Sequence, residues 1–307
     1  MADVVISEFM DEAIAREVLA DCEVLYDPSL VDDRDALLAA LSDARALIVR
    51  NRTQVDSELL AHGPGLKVIG RLGVGLDNID MEACERRDVA VCPAIGANDI
   101  AVAEYALSAA LILLRGVWLS SDRMIAGDWP RTELMGREAA GKQLGLIGFG
   151  SIAREVATRA NALGMTTAAF DPYVGADESS WAGTQKLALD ELAGGCDVIS
   201  VHVPLTPETH HLVNADLIGR MKRGAVLINT ARGGVVDESA LIEALRSGRL
   251  GGAALDVFES EPLTSEDGAK LADVPNLLLT PHIAGITEEA NVRVSRVTAE
   301  NVRRHLS

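Results

Sequence analysis

Short runs of Val, Ile, Leu and Ala alternate with helix-patterned segments along the whole of this 307-residue chain. No other feature limits the fold as much. A strand read as an unbroken apolar run must be covered on both faces. Helices between such strands supply the cover, so parallel sheets are expected. Strands are expected near residues 4–7, 23–26, 46–49, 66–70 and 89–92, then near 143–147, 166–170, 197–203, 225–229, 252–258 and 276–280. Helices are expected near 32–41, 81–87, 152–163, 238–247 and 287–305. A longer amphipathic helix runs from Asn98 to about Leu119. Its small apolar face (Ala103, Ala106, Ala110, Leu113, Leu114) suits burial against another domain or subunit. The pattern occurs twice and the length suits two domains. The expectation is therefore α/β, with two doubly wound parallel-sheet domains. The long helix makes the first crossing between them, and the last helix returns to the N-terminal unit.

Composition narrows the partners. Apolar residues make up 48% and charged residues 24%, as in ordinary soluble proteins, and aromatics only 3%. Lys and Arg total 28 against 46 Asp and Glu, a net charge of −18. Such a surface repels phosphate backbones, so nucleic acid is not an expected partner. Cys22, Cys84, Cys92 and Cys196 lie far apart with no CxxC pair, and read as buried reduced thiols with no metal site. The N-terminal MADVVISEFMDEA carries acids where a secretion signal needs a basic start. The most apolar stretch, residues 100–118, contains Glu104 and Arg115. A cytoplasmic protein with no membrane segment is expected.

Ligands of open α/β sheets bind beyond the carboxyl ends of the strands. After residues 143–147 comes GFGSIA, a GxGxxA turn opening a helix. Gly148 permits the tight turn, Gly150 lets the backbone approach a pyrophosphate, and Ala153 allows close helix–strand packing. Asp171 ends the next strand, 21 residues beyond Gly150. Its carboxylate accepts from the ribose hydroxyls and repels a 2′-phosphate, and no Lys or Arg lies between Pro172 and Gln185. NAD is therefore expected rather than NADP.

Arg232, Glu261 and His282 also follow strands. Oxidising a 2-hydroxy acid needs a cation for the carboxylate and the C2 oxygen, and a base for the hydroxyl proton. A guanidinium fork suits the first task and an imidazole the second. A nearby Glu would hold the imidazole's far nitrogen. Each residue alone also fits an ordinary surface role; the argument rests on their convergence at strand ends. His202 is expected within the 197–203 strand, packed near the cofactor, whereas His62, His210, His211 and His305 read as solvated.

These residues lie in motifs that resemble the D-isomer-specific 2-hydroxyacid dehydrogenases, and within them the phosphoglycerate dehydrogenase branch. The motifs are RLGVGLDNID (71–80), LGLIGFG (144–150), NTARGGVVDE (229–238), ALDVF (254–258) and PHIAG (281–285). The resemblance implies a Rossmann NAD-binding domain over 98–283 and a flavodoxin-like substrate-binding domain over 1–97 and 284–307. It makes Arg232, Glu261 and His282 catalytic, and places Val74 and Gly75 backbone groups at the substrate carboxylate. Ser151 and Ile152 would meet the pyrophosphate, and Asp256 the nicotinamide amide. Val203, Thr209, Thr230 and Ala231, with Ala284 and Gly285, would complete the cofactor site. A homodimer through the nucleotide domain is implied.

The far end of the substrate is read from Arg50-Asn51-Arg52, which follows residues 46–49. Guanidinium forks match phosphate and sulfonate oxygens. The segment resembles the phosphate-binding loop of phosphoglycerate dehydrogenases. With residues 71–80 and WPRTELMG (129–136), it looks still more like the (S)-sulfolactate dehydrogenases, with Arg131 reaching in from a neighbouring subunit. Sulfur outranks carboxyl in priority, so (S)-sulfolactate has the spatial arrangement of a D-lactate. The substrate expected is a small D-configured acid with an anionic C3 group, 3-sulfolactate ahead of 3-phosphoglycerate. A hydroxypyruvate or glyoxylate reductase and an NAD-sensing corepressor are the alternatives.

Overall fold

The computed structural model describes residues 2–175, 179–181 and 183–307. Two compact units divide at Asn98/Asp99 and at Gly285/Ile286.

The first unit, Met1–Asn98 with Ile286–Ser307, holds β1 (Val4–Ile6), β2 (Val24–Tyr26), β3 (Ala46–Val49), β4 (Val68–Arg71) and β5 (Ala90–Pro93). All pair in parallel in the order β2-β1-β3-β4-β5, so the order reverses between β1 and β3. Helices Glu12–Val18, Arg34–Ala40, Ser57–His62 and Met81–Arg86 begin at Asp11, Asp33, Asp56 and Asp80. Each of these aspartates accepts an amide of the first turn, a local use for part of the chain's acidity. The last helix, Glu288–Leu306, packs on β4, where a Cβ on Gly70 would lie 2.6 Å from Val302.

The second unit, Asp99–Gly285, holds β6 (Gln143–Ile147), β7 (Thr166–Phe170), β8 (Thr184–Lys186), β9 (Val198–Val201), β10 (Ala225–Asn229), β11 (Leu250–Leu255) and β12 (Leu277–Leu279). Among the described residues the order is β12-β11-β10-β9-β6-β7-β8, all parallel, and it reverses between β6 and β9. Leu146, Val198, Val226 and Ala254 face one core layer; Ile147, Ile199, Leu227 and Leu255 face the other. Both domains are doubly wound parallel α/β sheets.

Several expectations change. The long helix stops at Arg115, because Gly116 adopts a left-handed conformation (φ 62°) and a 3-10 turn follows. Its small face is buried against helix Ser151–Ala162 and the sheet of its own unit. A group of exposed apolar side chains lies just beyond it, at Val117, Trp118, Met124, Ile125, Trp129 and Met135. Edge strand β8 has the polar sequence TQK and gave no apolar signal. Helices Glu12–Val18, Ser57–His62, Leu189–Gly195, Ala215–Arg220 and Ser265–Leu271 are too short for the periodicity to declare them. His202 lies one residue past β9, and Cys22 and Cys92 are only half-buried. No helix among the described residues is long and apolar enough to cross a membrane.

Candidate active site

The glycine turn leaves β6 at the point where the larger sheet reverses its strand order. Gly148 has φ 88°, and a Cβ there would sit 2.5 Å from the His202 carbonyl oxygen, so only glycine fits. A Cβ on Gly150 would meet nothing within 4 Å. Glycine there keeps space open in front of the amides of Ser151 and Ile152, which begin helix Ser151–Ala162. Ala153 is buried in the helix–sheet layer. Asp171, just after β7, accepts from the Phe149 amide at 2.9 Å and the Tyr173 amide at 2.9 Å. Its carboxylate thus stands beside the glycine turn.

The loop after β10 is fastened by Asn229. Its side chain accepts from Ala231 N at 3.0 Å and donates to the Arg232 carbonyl at 2.8 Å. The Thr230 Oγ1 atom is buried and has no protein partner. Arg232 donates to the Ala231 carbonyl at 2.6 Å. Gly233 packs so tightly on the Phe258–Glu259 backbone that a Cβ would overlap it at 1.9 Å. Thr209 Oγ1 donates to Pro204 O and accepts from Thr206 N, both at 2.7 Å, shaping the loop that follows Val203.

Glu261 and His282 are joined: Oε2 and Nδ1 lie 2.8 Å apart. The other Glu261 oxygen accepts from Phe258 N at 3.0 Å. Burial pushes the Glu261 carboxyl up, but the His282 hydrogen bond, the Phe258 amide and the His282 and Arg232 charges outweigh it and hold it below its ordinary value. The bond to Nδ1 leaves Nε2 as the nitrogen for proton exchange. His282 itself sits at φ 55°. Asp256, 1% exposed, holds that loop: its carboxylate accepts from Thr280 Oγ1 at 2.6 Å, Ile283 N at 2.8 Å and Ala284 N at 2.7 Å. His202 bonds Ser200 Oγ at 2.9 Å, and burial pushes its imidazole down to about 4, so it stays neutral at physiological pH. His211 is not merely solvated, since it lies 3.1 Å from Glu259.

In the first unit, Val74 is exposed and, with Gly75, follows β4. Arg50 to Arg52 follow β3. Arg50 reaches the Phe9 carbonyl at 3.3 Å and Asn291 Oδ1 at 3.4 Å, and Arg52 pairs with Asp32. Arg131 is exposed on the second unit, its amide bonded to the Trp129 carbonyl at 2.9 Å.

A family profile described as "D-isomer specific 2-hydroxyacid dehydrogenase, NAD binding domain" matches residues 107–284. The (S)-sulfolactate dehydrogenase of Chromohalobacter salexigens is 53% identical over 100% of this chain and 99% of its own. A D-3-phosphoglycerate dehydrogenase of Archaeoglobus fulgidus is 40% identical over 88% of this chain and 51% of its own. Among solved structures, D-lactate dehydrogenase of Aquifex aeolicus, complexed with NAD and lactic acid, aligns with TM-score 0.85 and 32% identity, over 99% and 95% of the two chains. The chain belongs to the D-isomer-specific 2-hydroxyacid dehydrogenase family.

It is an NAD-dependent 2-hydroxyacid dehydrogenase. The geometry of this dehydrogenase fits NAD. Gly150 leaves room for a pyrophosphate at a helix N-terminus, the Asp171 carboxylate follows the next strand, and Thr230 offers an unused hydroxyl. The supporting residues Thr280 and Glu8, the latter a buried carboxylate just after β1, gave no motif of their own. Their partners lie on neighbouring strands, and strand order is not written in linear sequence. Only their place at strand ends could have flagged them.

Proposed function

We propose that this dehydrogenase oxidises (S)-3-sulfolactate, reversibly, with NAD, and that the sequence-derived site residues act as follows. The observation that carries the substrate is the likeness, over the full length of both chains, to an (S)-sulfolactate dehydrogenase. When bound, NAD supplies the acceptor for the hydride leaving C2. Gly148, Gly150, Ser151, Ile152 and Asp171 hold its pyrophosphate and adenosine ribose. Val203, Thr209, Thr230, Ala231, Ala284 and Gly285 line the rest, with Asp256 holding the loop of Ile283 and Ala284 in place. The Arg232 fork binds the substrate carboxylate and the C2 oxygen. His282 takes the hydroxyl proton on Nε2, while Glu261 holds Nδ1 and steadies the imidazolium that forms. Val74 and Gly75 hold the carboxylate through their backbone, and Arg50, Asn51 and Arg52 the sulfonate, with Arg131 of a neighbouring subunit adding charge. D-3-phosphoglycerate is the second reading, favoured by the phosphoglycerate dehydrogenase relatives; the chain spans about half of their length.

The domain roles follow, with the expected boundaries at 97/98 and 283/284 moved to those of the two units: residues 1–98 and 286–307 bind the substrate's far end, and residues 99–285 bind NAD. A cytoplasmic homodimer is part of the reading. It is supported by the exposed apolar group from Val117 to Met135, in which Trp129 is 76% exposed.

Arg52→Ala tests the substrate end. Losing one charge-assisted contact costs about 1.5–3 kcal/mol, so kcat/KM for 3-sulfolactate should fall about 10–150-fold relative to kcat/KM for D-lactate. Equal loss on both acids, or a parent enzyme that prefers D-lactate, refutes the assignment.

A further inference from the structure

Glu8 is a charged side chain with no role in the chemistry above. It follows β1 and is only 4% exposed. A carboxylate buried so deeply needs donors, and here they are four successive backbone amides. One oxygen accepts from Arg50 N at 2.8 Å and Thr53 N at 2.9 Å; the other accepts from Arg52 N at 3.2 Å and Asn51 N at 3.3 Å. Asn78 grips the same residues from the carbonyl side, donating to Thr53 O at 2.7 Å and Arg50 O at 3.4 Å. β1 and β3 are the neighbours between which the smaller sheet reverses its order. Open α/β sheets take ligands beyond such a reversal.

Amides converging on one point ordinarily form a nest for an external anion. In this protein the chain's own carboxylate fills the nest. An incoming oxyanion therefore meets guanidinium groups at this loop instead of amides. We propose that Glu8 is the positioning residue for recognition of the substrate's anionic end. By holding the backbone of residues 50–53, it sets the directions in which Arg50 and Arg52 leave the loop. The proposal rests on the reading that these arginines hold a sulfonate or phosphate. It adds a determinant of specificity just after β1, a strand to which no substrate contact is assigned.

Glu8→Gln is the test, with Glu8→Asp as the charge-keeping control. The carboxamide offers one acceptor oxygen, so in either orientation two amides face an NH2 group instead of a lone pair. Amide exchange in the peptide covering residues 47–54, followed by mass spectrometry on the folded enzyme, should accelerate at least tenfold. KM for 3-sulfolactate should rise about tenfold while kcat falls less than threefold, and the preference for 3-sulfolactate over D-lactate should shrink by a similar factor. Glu8→Asp should recover part of both effects. NAD binding, read by fluorescence titration, reports that each variant is folded. Unchanged exchange, or a loss falling on kcat for both acids alike, overturns the proposal. If Arg52→Ala impairs both acids equally while Glu8→Gln accelerates exchange, the substrate reading has failed and the specificity role falls with it. If Arg52→Ala is selective and Glu8→Gln is not, Glu8 alone is refuted.

Discussion

Asp256 offers the clearest separation between holding a loop and touching a cofactor. Its buried carboxylate accepts three donors, from Thr280, Ile283 and Ala284, on either side of His282. In Asp256→Asn the better orientation keeps the oxygen towards Thr280 Oγ1 and Ile283 N. The NH2 group then faces the Ala284 amide, donor against donor. One charge-assisted bond is lost and one buried amide is left unpaired, which together cost about 2–4 kcal/mol of stability. The strain falls on the segment that carries His282 at φ 55°. Displacing a proton-transfer group by about 1 Å costs on the order of 10² in rate. Urea unfolding should show the stability loss. Steady-state kinetics should show kcat down about 100-fold, with KM for NAD changed less than about threefold. A KM for NAD raised tenfold or more with kcat preserved would refute this reasoning, since the carboxylate would then act mainly on the nicotinamide amide.

Asp171→Ala should narrow a preference for NAD over NADP that is at least about tenfold in the parent, because the carboxylate that repels a 2′-phosphate is gone; kcat/KM with each cofactor decides it. Glu261 is held below its ordinary value of 4.5, so its stabilisation is present above that pH and lost as pH falls towards the lower folded value. Urea midpoints of Glu261→Gln should accordingly vary less than the parent's between about pH 5 and 3. The same variant should lower kcat in both directions, because a carboxamide no longer fixes Nδ1 as the donor beside it or offsets the charge of the imidazolium that forms; an unchanged kcat would sink the pairing.

The sequence by itself determined the fold class, the two sheets and the residues that end their strands. Buried parallel strands must be apolar throughout, and GFGSIA is a local solution to a local steric demand: at Gly148 only a residue without Cβ fits. What it left out follows from distance along the chain. β8 is a polar edge strand, so no apolar run marks it, and helices such as Glu12–Val18 and Ser121–Ile125 offer too little periodicity to read. The small face of the long helix is legible as buried, but whether its own sheet or another subunit covers it depends on the fold. Tertiary structure alone joined Glu8 to the amides of residues 50–53 across more than 40 residues and Asp256 to the Thr280–Ala284 loop, and it gave the anticipated Glu261–His282 pair its 2.8 Å contact across 21 residues. Each of these pairs meets because the carboxyl ends of parallel strands lie along one edge of a sheet. Which ends are neighbours is settled by strand order, and strand order depends on how all the helices and strands pack together.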